Sequence, residues 1–254
     1  MIKEDKIPKI IHYCWFGGGE KNETVKKCIA SWEKFCPGYK IIEWNEANYD
    51  LSRTNVYVKQ AFKHKKWAFV ADYARLDILY TYGGLYFDTD VELVRPPDEL
   101  LKDNTFFGLE DALAVNTGIG CGSTKNAPVL KKIMEEYENI SFIDKKGKIN
   151  YTTCVEITSN LLIKYGLKPE NKNQCLFVDD KAISIYNSEY FCPQQLRSVE
   201  INVTDKTISI HHYDGSWKSP MEYTKTTLKI FVRKMVDMVF GIGTYNKIKM
   251  KIKS

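Results

Sequence analysis

Asp72, Arg75, Asp88 and Asp90 fall within one short stretch of the chain, and two adjacent histidines, His211 and His212, stand far downstream. Asp88 and Asp90 are one residue apart, and at the end of a strand the period of two would turn both carboxylates the same way. Two carboxylates that close repel each other unless a cation, or a cation with a phosphate, lies between them. Mg²⁺ or Mn²⁺ suits such a pair, because these ions take oxygen ligands and are often shared between one or two carboxylates and a substrate's phosphates. Mn²⁺ also accepts imidazole, so His211 or His212 is a candidate further ligand. Neighbours on a strand point to opposite sides, so at most one of the two is expected to bind. His212 is preferred, with the other expected as a hydrogen-bonded core residue.

The stretch 67–93, WAFVADYARLDILYTYGGLYFDTDVEL, must position these groups. Val70, Ala71, Ala74, Ile78 and Leu79 recur at helical spacing, and the same period sets Asp72 and Arg75 on one face. The bland reading of that pair is a surface ion pair worth a few tenths of a kcal/mol. Gly83-Gly84 predicts the end of the helix, since glycine takes a left-handed cap without steric cost. Leu85, Tyr86 and Phe87 then have the propensity of a buried strand that delivers the two aspartates.

Around that stretch the chain alternates strand and helix. Ile7 to Phe16 predicts a first buried strand, closed by Gly17-Gly18-Gly19 and followed by a helix over Asn22 to Phe35. Tyr39 to Trp44 predicts a second strand. Further short strands are expected at Phe106–Leu109, at 176–180 and 183–186, and at Thr207–Tyr213, with helices at Pro128–Tyr137 and Cys154–Tyr165. Asp179-Asp180 is taken as a solvated strand end. Val115 to Gly120 is rich in small residues where a ligand or another backbone would approach. The alternation predicts an α/β fold with an open, mostly parallel, Rossmann-like sheet flanked by helices.

Composition narrows the class. Apolar residues make up 44% and charged residues 27% of 254 residues, ordinary for a globular protein. Seven cysteines at irregular positions, with no C-x-x-C pair, argue against a disulfide framework or zinc ribbon and fit a reducing compartment. No signal peptide or spanning helix is expected, which predicts a cytoplasmic protein. From Lys218 onward nine Lys/Arg face two Asp/Glu, leaving the first 217 residues at about −2 of the total +5. A near-neutral body disfavours nucleic acid as the partner. In the tail, Leu228, Phe231, Val232, Met235, Val236, Val239 and Ile242 form one apolar stripe with lysines and arginines largely opposite. That predicts a basic amphipathic C-terminal helix, either lying on an anionic membrane surface at the inner face of the cell membrane or docked on the domain. The expected organisation is therefore one domain over 1–217 and a tail over 218–254.

Three segments together resemble a known family: IPKIIHYCWFG near the start, A-D-x-x-R-x-x-x-L-x-x-x-G-G-L-Y-x-D-x-D over 71–90, and H-H-x-x-x-S-W from 211. They resemble the family 32 glycosyltransferases, the DXD-containing sugar-binding group common in bacterial capsular and extracellular polysaccharide clusters. More distantly they are similar to the catalytic domains of glucosylating bacterial toxins. The resemblance implies a GT-A fold, a nucleotide-sugar donor (a UDP-sugar first), Mn²⁺ or Mg²⁺, and retaining transfer of a hexose to a saccharide or lipid-linked oligosaccharide acceptor. By position it implies Asp90 as direct metal ligand, with Asp88 at the donor ribose and metal shell. Asp72 and Arg75 would lie beside the donor sugar, with Tyr86 in the donor pocket and Asn116 near the sugar. One imidazole of His211-His212 would complete the metal shell, and Ser216 and Trp217 would meet the diphosphate. The first strand, through Ile11, Tyr13 and Trp15, would hold the base. Relatives often carry Gly-Pro before the helix that here begins Thr153-Cys154-Val155-Glu156, a departure that leaves the acceptor-side assignment of Glu156 open.

Three rivals remain. LYFDTDVEL superficially matches a haloacid-dehalogenase-type phosphatase motif, but Glu92 replaces the expected Thr or Val and the aspartates do not lie on the first strand. An inactive carbohydrate-binding protein on the same fold would have no need of Asp72, Arg75, Asp88 and Asp90. A toxin-like glycosyltransferase acting on a protein shares the chemistry and differs in its acceptor.

Overall fold

A computed structural model of the protein describes residues 6–193 and 201–214, together with 232, 235 and 236. The chain divides after Asp214 into two units. The first unit is built on a seven-stranded sheet in the order β2-β1-β3-β6-β5-β8-β7. Its strands are β1 (Ile10–Cys14), β2 (Lys40–Trp44), β3 (Gly84–Tyr86), β5 (Thr105–Asp111), β6 (Ala114–Ser123), β7 (Gln174–Val178) and β8 (Lys181–Tyr186). Five of them run in one direction and β6 and β7 run against it. A separate ribbon pairs β4 (Val91–Leu93) with β9 (Ser209–His211). The sheet is thus the mixed, mostly parallel α/β kind that alternating strands and helices predict.

Helices cover both faces. On one side α2 (Val56–Lys63), α3 (Trp67–Tyr82), α4 (Pro128–Glu138) and α5 (Cys154–Lys164) enclose a core that includes Val70, Leu79, Leu130 and Leu162. On the other, α1 (Glu23–Phe35), the β4–β9 ribbon and the short α6 (Ser188–Phe191) enclose a second, around Trp32, Phe87, Leu93 and Ile208. α3 is buried on most of its circumference, as an almost uniformly apolar helix must be. That is how Arg75 comes to lie inside the protein.

α3 stops where the glycines stop it. Gly83 has φ +66 and Gly84 φ +112, and a Cβ at Gly84 would stand 2.8 Å from the Ile10 carbonyl oxygen. His12, fully buried on β1, fastens this turn: its Nε2 lies 2.9 Å from the Gly83 carbonyl oxygen and its Nδ1 accepts from Trp44 Nε1 at 3.0 Å.

Two features depart from the sequence expectation. The patterning of residues 45–66 announces no element, yet Asn55 caps α2 there by accepting from the Val58 amide. Asp179 and Asp180 are not a strand end. They are the central pair of the β7–β8 turn, with φ of +47 and +62, the conformation such hairpins demand and Asp tolerates. Of the tail stripe, only Val232, Met235 and Val236 are described: all three are helical, with Val232 and Met235 exposed. No helix among the described residues is long and apolar enough to cross a membrane.

Candidate active site

Arg75 is the centre of the site and is 3% exposed. Its Nη2 lies 3.1 Å from Asp72 Oδ1, one turn back on α3, and donates to Asp88 Oδ1 at 2.9 Å. Its Nη1 reaches Thr117 Oγ1 at 3.2 Å and Cys154 Sγ at 3.5 Å, and the guanidinium lies over the Tyr86 ring, 5.0 Å from its centroid. Its Nε has no hydrogen-bond partner among the described residues. A surface ion pair is therefore the wrong description of Asp72 and Arg75. The pair is buried, and burial raises the Asp72 pKa against the pull of Arg75, with the Asp88 charge adding to the rise.

The two aspartates do not share a strand face. β3 ends at Tyr86, and Asp88 and Asp90 lie in the turn that leads to β4, so the period of two does not apply to them. Asp88 turns toward α3. It accepts from Arg75 and from the Tyr86 hydroxyl at 3.0 Å, and its amide donates to the Gly118 carbonyl at 2.8 Å. Asp90 turns toward β9. Its Oδ2 accepts from the Asp214 amide at 3.1 Å and stands 3.4 Å from His211 Nε2.

The β4–β9 ribbon decides which histidine meets Asp90. His211 pairs with Val91 and presents its ring to Asp90, while the His212 amide donates to the Asp90 carbonyl at 2.9 Å. The His212 ring instead meets Glu92 at 2.8 Å, and Glu92 also accepts from Lys27 at 2.8 Å. The preference for His212 is thus reversed: a one-residue step along a strand changes the face, and the register sets His211 against the motif. Burial alone would lower the His211 pKa, but the charge and hydrogen bond of Asp90 outweigh it and push it up to about 10. Asp90 moves the other way: desolvation would raise its pKa, and His211 with backbone amides, that of Asp214 among them, hold it below the ordinary carboxylate value.

β6 closes the floor. Its pairing with β5 jumps from Phe107–Cys121 to Gly108–Asn116, so residues 117–120 bulge toward the site. Thr117 meets Arg75, and Asn116 Oδ1 accepts from the Gly118 amide at 2.8 Å. A Cβ at Gly118 would run into the Asp88 carboxylate and the Arg75 guanidinium. The small residues at 115–120 signalled a close approach; nothing in the sequence said that Arg75 and Asp88 make it. Cys154, rather than Glu156, is the α5 residue brought to the cluster. Glu156 lies in the first turn of α5, where its amide takes the Thr153 cap.

The first strand offers less than expected. Ile11 is fully buried in the core and unable to touch a ligand as placed. Tyr13 is also buried, packed 5.4 Å from the Trp32 ring and donating to Glu43 at 2.6 Å. Only Trp15, just past the end of β1, keeps an accessible ring, with Lys21 Nζ 5.5 Å from its centroid. Tyr86 is wholly buried and acts through Asp88 rather than as an open pocket wall. Ser216 and Trp217 lie outside the described residues.

Among the described residues no group of three or more His, Cys, Asp and Glu side chains is arranged to hold a metal ion. The donor chemistry still fits a hard divalent cation. Asp90 and Asp88 are oxygen donors whose side chains are 18% and 32% exposed, and such ions need only one or two carboxylates when phosphates and water complete the shell.

The family described as "Glycosyltransferase sugar-binding region containing DXD motif" matches residues 22–107, the span that holds Asp72, Arg75, Asp88 and Asp90. The chain carries a DXD-type glycosyltransferase sugar-binding region. It is 27% identical over 231 residues to an uncharacterized glycosyltransferase of Acanthamoeba polyphaga mimivirus, covering 86% of this chain and 87% of that one. It is also 27% identical over 143 residues to inositol phosphoceramide mannosyltransferase 3 of Schizosaccharomyces pombe, covering 54% of this chain. The match spans 38% of that enzyme's length, well under half of it. Among solved structures, the PaToxG glycosyltransferase superposes with a TM-score of 0.51 at 18% identity, over 63% of this chain and 69% of that one. The likeness is one of fold, and it is the GT-A-type fold.

Proposed function

We propose that this glycosyltransferase is metal-dependent and retaining, moving a hexose from a nucleotide-sugar donor to a saccharide acceptor. A UDP-hexose is the first donor expected and a lipid-linked oligosaccharide of polysaccharide or capsule synthesis the first acceptor. The observation that carries the reading is the division of labour in the motif: Arg75 and Tyr86 fix Asp88, while Asp90 is held separately at the mouth of the ribbon.

Breaking a sugar–phosphate bond builds negative charge on the leaving diphosphate and oxocarbenium-like positive charge on the sugar. Arg75 is engaged by two carboxylates, so its part is to hold Asp72 and Asp88 in place as acceptors for donor hydroxyls. A divalent cation held at Asp90, with Asp88 as the second carboxylate of the motif and His211 beside Asp90, would supply positive charge for the leaving diphosphate. Asn116 shapes the β6 bulge under the donor sugar, and the Trp15 ring offers a face for the base. Ser216 and Trp217 would close over the diphosphate.

A second donor reading is GDP-mannose, favoured by the likeness to the mannosyltransferase of Schizosaccharomyces pombe. A panel of UDP- and GDP-hexoses, incubated with Mn²⁺ and scored for slow hydrolysis, tests both. One donor should be hydrolysed, with the activity lost on adding EDTA; silence across the panel overturns the reading. The organisation we propose is a catalytic domain over 1–217 and a basic tail over 218–254 that rests on an anionic membrane surface, at the inner face of the cell membrane. Removing 223–254 should then abolish binding to phosphatidylglycerol vesicles and spare donor hydrolysis.

A further inference from the structure

α3 has a second polar side. Asp77 is two residues past Arg75, about 200° round the helix, and it faces a cavity of about 160 Å³. Trp44, Tyr49, Arg53, Tyr73 and Tyr82 also line this cavity, and none of its lining residues belongs to the Asp72–Asp90 cluster. A void of about 150 Å³ holds benzene, and a hexopyranose, bulkier by its hydroxyls, would fill this one.

The lining is neither apolar nor of one charge. One Asp77 oxygen accepts from the buried Tyr49 hydroxyl at 3.0 Å; the other has no hydrogen bond or ion pair among the described residues. Burial raises the Asp77 pKa, with Tyr49 and Arg53 opposing the rise. Arg53 is exposed and likewise has no ion pair among the described residues. Tyr82, 45% exposed, packs 5.2 Å from the Trp44 ring with much of its own surface open.

Each simple ligand class but one meets a conflict here. A cation would face Arg53, and an anion would face Asp77 and Asp50. An apolar molecule would leave a half-buried carboxylate oxygen without a partner, which is unfavourable. A neutral ring bearing adjacent hydroxyls satisfies Arg53 and Asp77, because each hydroxyl both donates and accepts, while Asp50 already accepts from Ser52. Its C–H edges would lie on the Tyr82 ring. We propose that this cavity is a second saccharide site, taking one neutral hexopyranose ring away from the DXD site. The inference makes no use of the chemistry at Asp90.

Saturation-transfer NMR on the full chain, without Mn²⁺, tests it with methyl α-D-glucopyranoside and methyl α-D-mannopyranoside as probes. At least one should bind in the millimolar range, and Arg53→Ala and Asp77→Asn should each weaken it roughly fivefold or more, the effect of one lost hydrogen bond. Arg53 is exposed, so that variant keeps the fold even if Asp77→Asn does not. Asp90→Asn should leave the binding unchanged. The site is refuted if neither glycoside binds, if Arg53→Ala has no effect, or if Asp90→Asn abolishes the signal. Binding of tetramethylammonium or sulfate with the same dependence on Arg53 would equally overturn it.

Discussion

The two aspartates of the motif live in different regions of the molecule. Asp88 belongs to the α3 side, where Arg75, Tyr86 and the β6 bulge hold it from three directions. Asp90 belongs to the β4–β9 ribbon, where one imidazole and backbone amides hold it. The first region is a buried charge network, in which removing one member strands the others in a poorly solvated interior. In the second, Asp90 is held by one imidazole and backbone amides, with no guanidinium shared with another carboxylate. The difference teaches that a two-residue motif can divide into two halves, each held by its own network; the half we propose for the chemistry is Asp90.

The largest break in that comparison should come from Arg75→Met. It leaves Asp72 and Asp88 without their shared cation, and breaking a buried pair in this way typically costs about 3–5 kcal/mol. Chemical denaturation should show most of that loss, with donor hydrolysis gone. Asp90→Asn should do the reverse. Its hydrolysis rate should fall by the equivalent of about 2.7–4 kcal/mol of barrier, the effect of losing one charge-stabilising group, and its unfolding midpoint should fall less than that of Arg75→Met, since only the His211 pair is lost. If Asp90→Asn unfolded the protein and Arg75→Met left it stable, the two halves would have to be exchanged.

How much of this was legible follows the same divide. The α3 half is local in sequence: helical spacing set Asp72 beside Arg75, and Gly83-Gly84 marked the turn that sends β3 under the site. The ribbon half is not local, because Val91 and His211 lie 120 residues apart and only strand register decides which histidine meets Asp90. Periodicity within either strand carries no such information, and the expectation for His212 therefore differs from the register, which sets His211 beside Asp90. Thr117 and Cys154 escaped for a related reason, since their role depends on a bulge and a helix start that converge on Arg75 only in three dimensions. Ile11 and Tyr86 differ from expectation in the opposite direction: both are fully buried, as aromatic and aliphatic residues on a strand commonly are.

His12 tests the α3 half through pH. It is buried and holds the Gly83 turn, and desolvation, with help from Lys40, lowers its pKa to about 4 against the opposing Gly83 hydrogen bond. Above its ordinary value near 6.5 both folded and unfolded chains carry it neutral, and its contribution is complete. As the pH falls from 6.5 toward 4, the unfolded chain takes up a proton that the folded one refuses. Stability should therefore drop by up to about 3 kcal/mol across that window, at roughly 1.4 kcal/mol per pH unit. His12→Gln keeps a donor for the Gly83 carbonyl and cannot titrate. Other carboxylates titrate in the same range, so the quantity to measure is the difference between the two urea-unfolding profiles; parallel profiles from pH 7 to 4 would mean that His12 is not held neutral.

The finest break is Tyr86→Phe. The ring stays, so its packing against the guanidinium is kept, and only the hydroxyl that reaches Asp88 is removed. One hydrogen bond to a charged group contributes about 1.5–3 kcal/mol in general, but Asp88 retains Arg75 and the stability loss should fall at the low end. Hydrolysis should weaken mainly through KM, because the donor meets a carboxylate that is still present but less well oriented. A fall in kcat as large as that of Asp90→Asn would instead make the Tyr86–Asp88 contact part of the chemistry, and the line between the two halves would move from residue 88 back to residue 86.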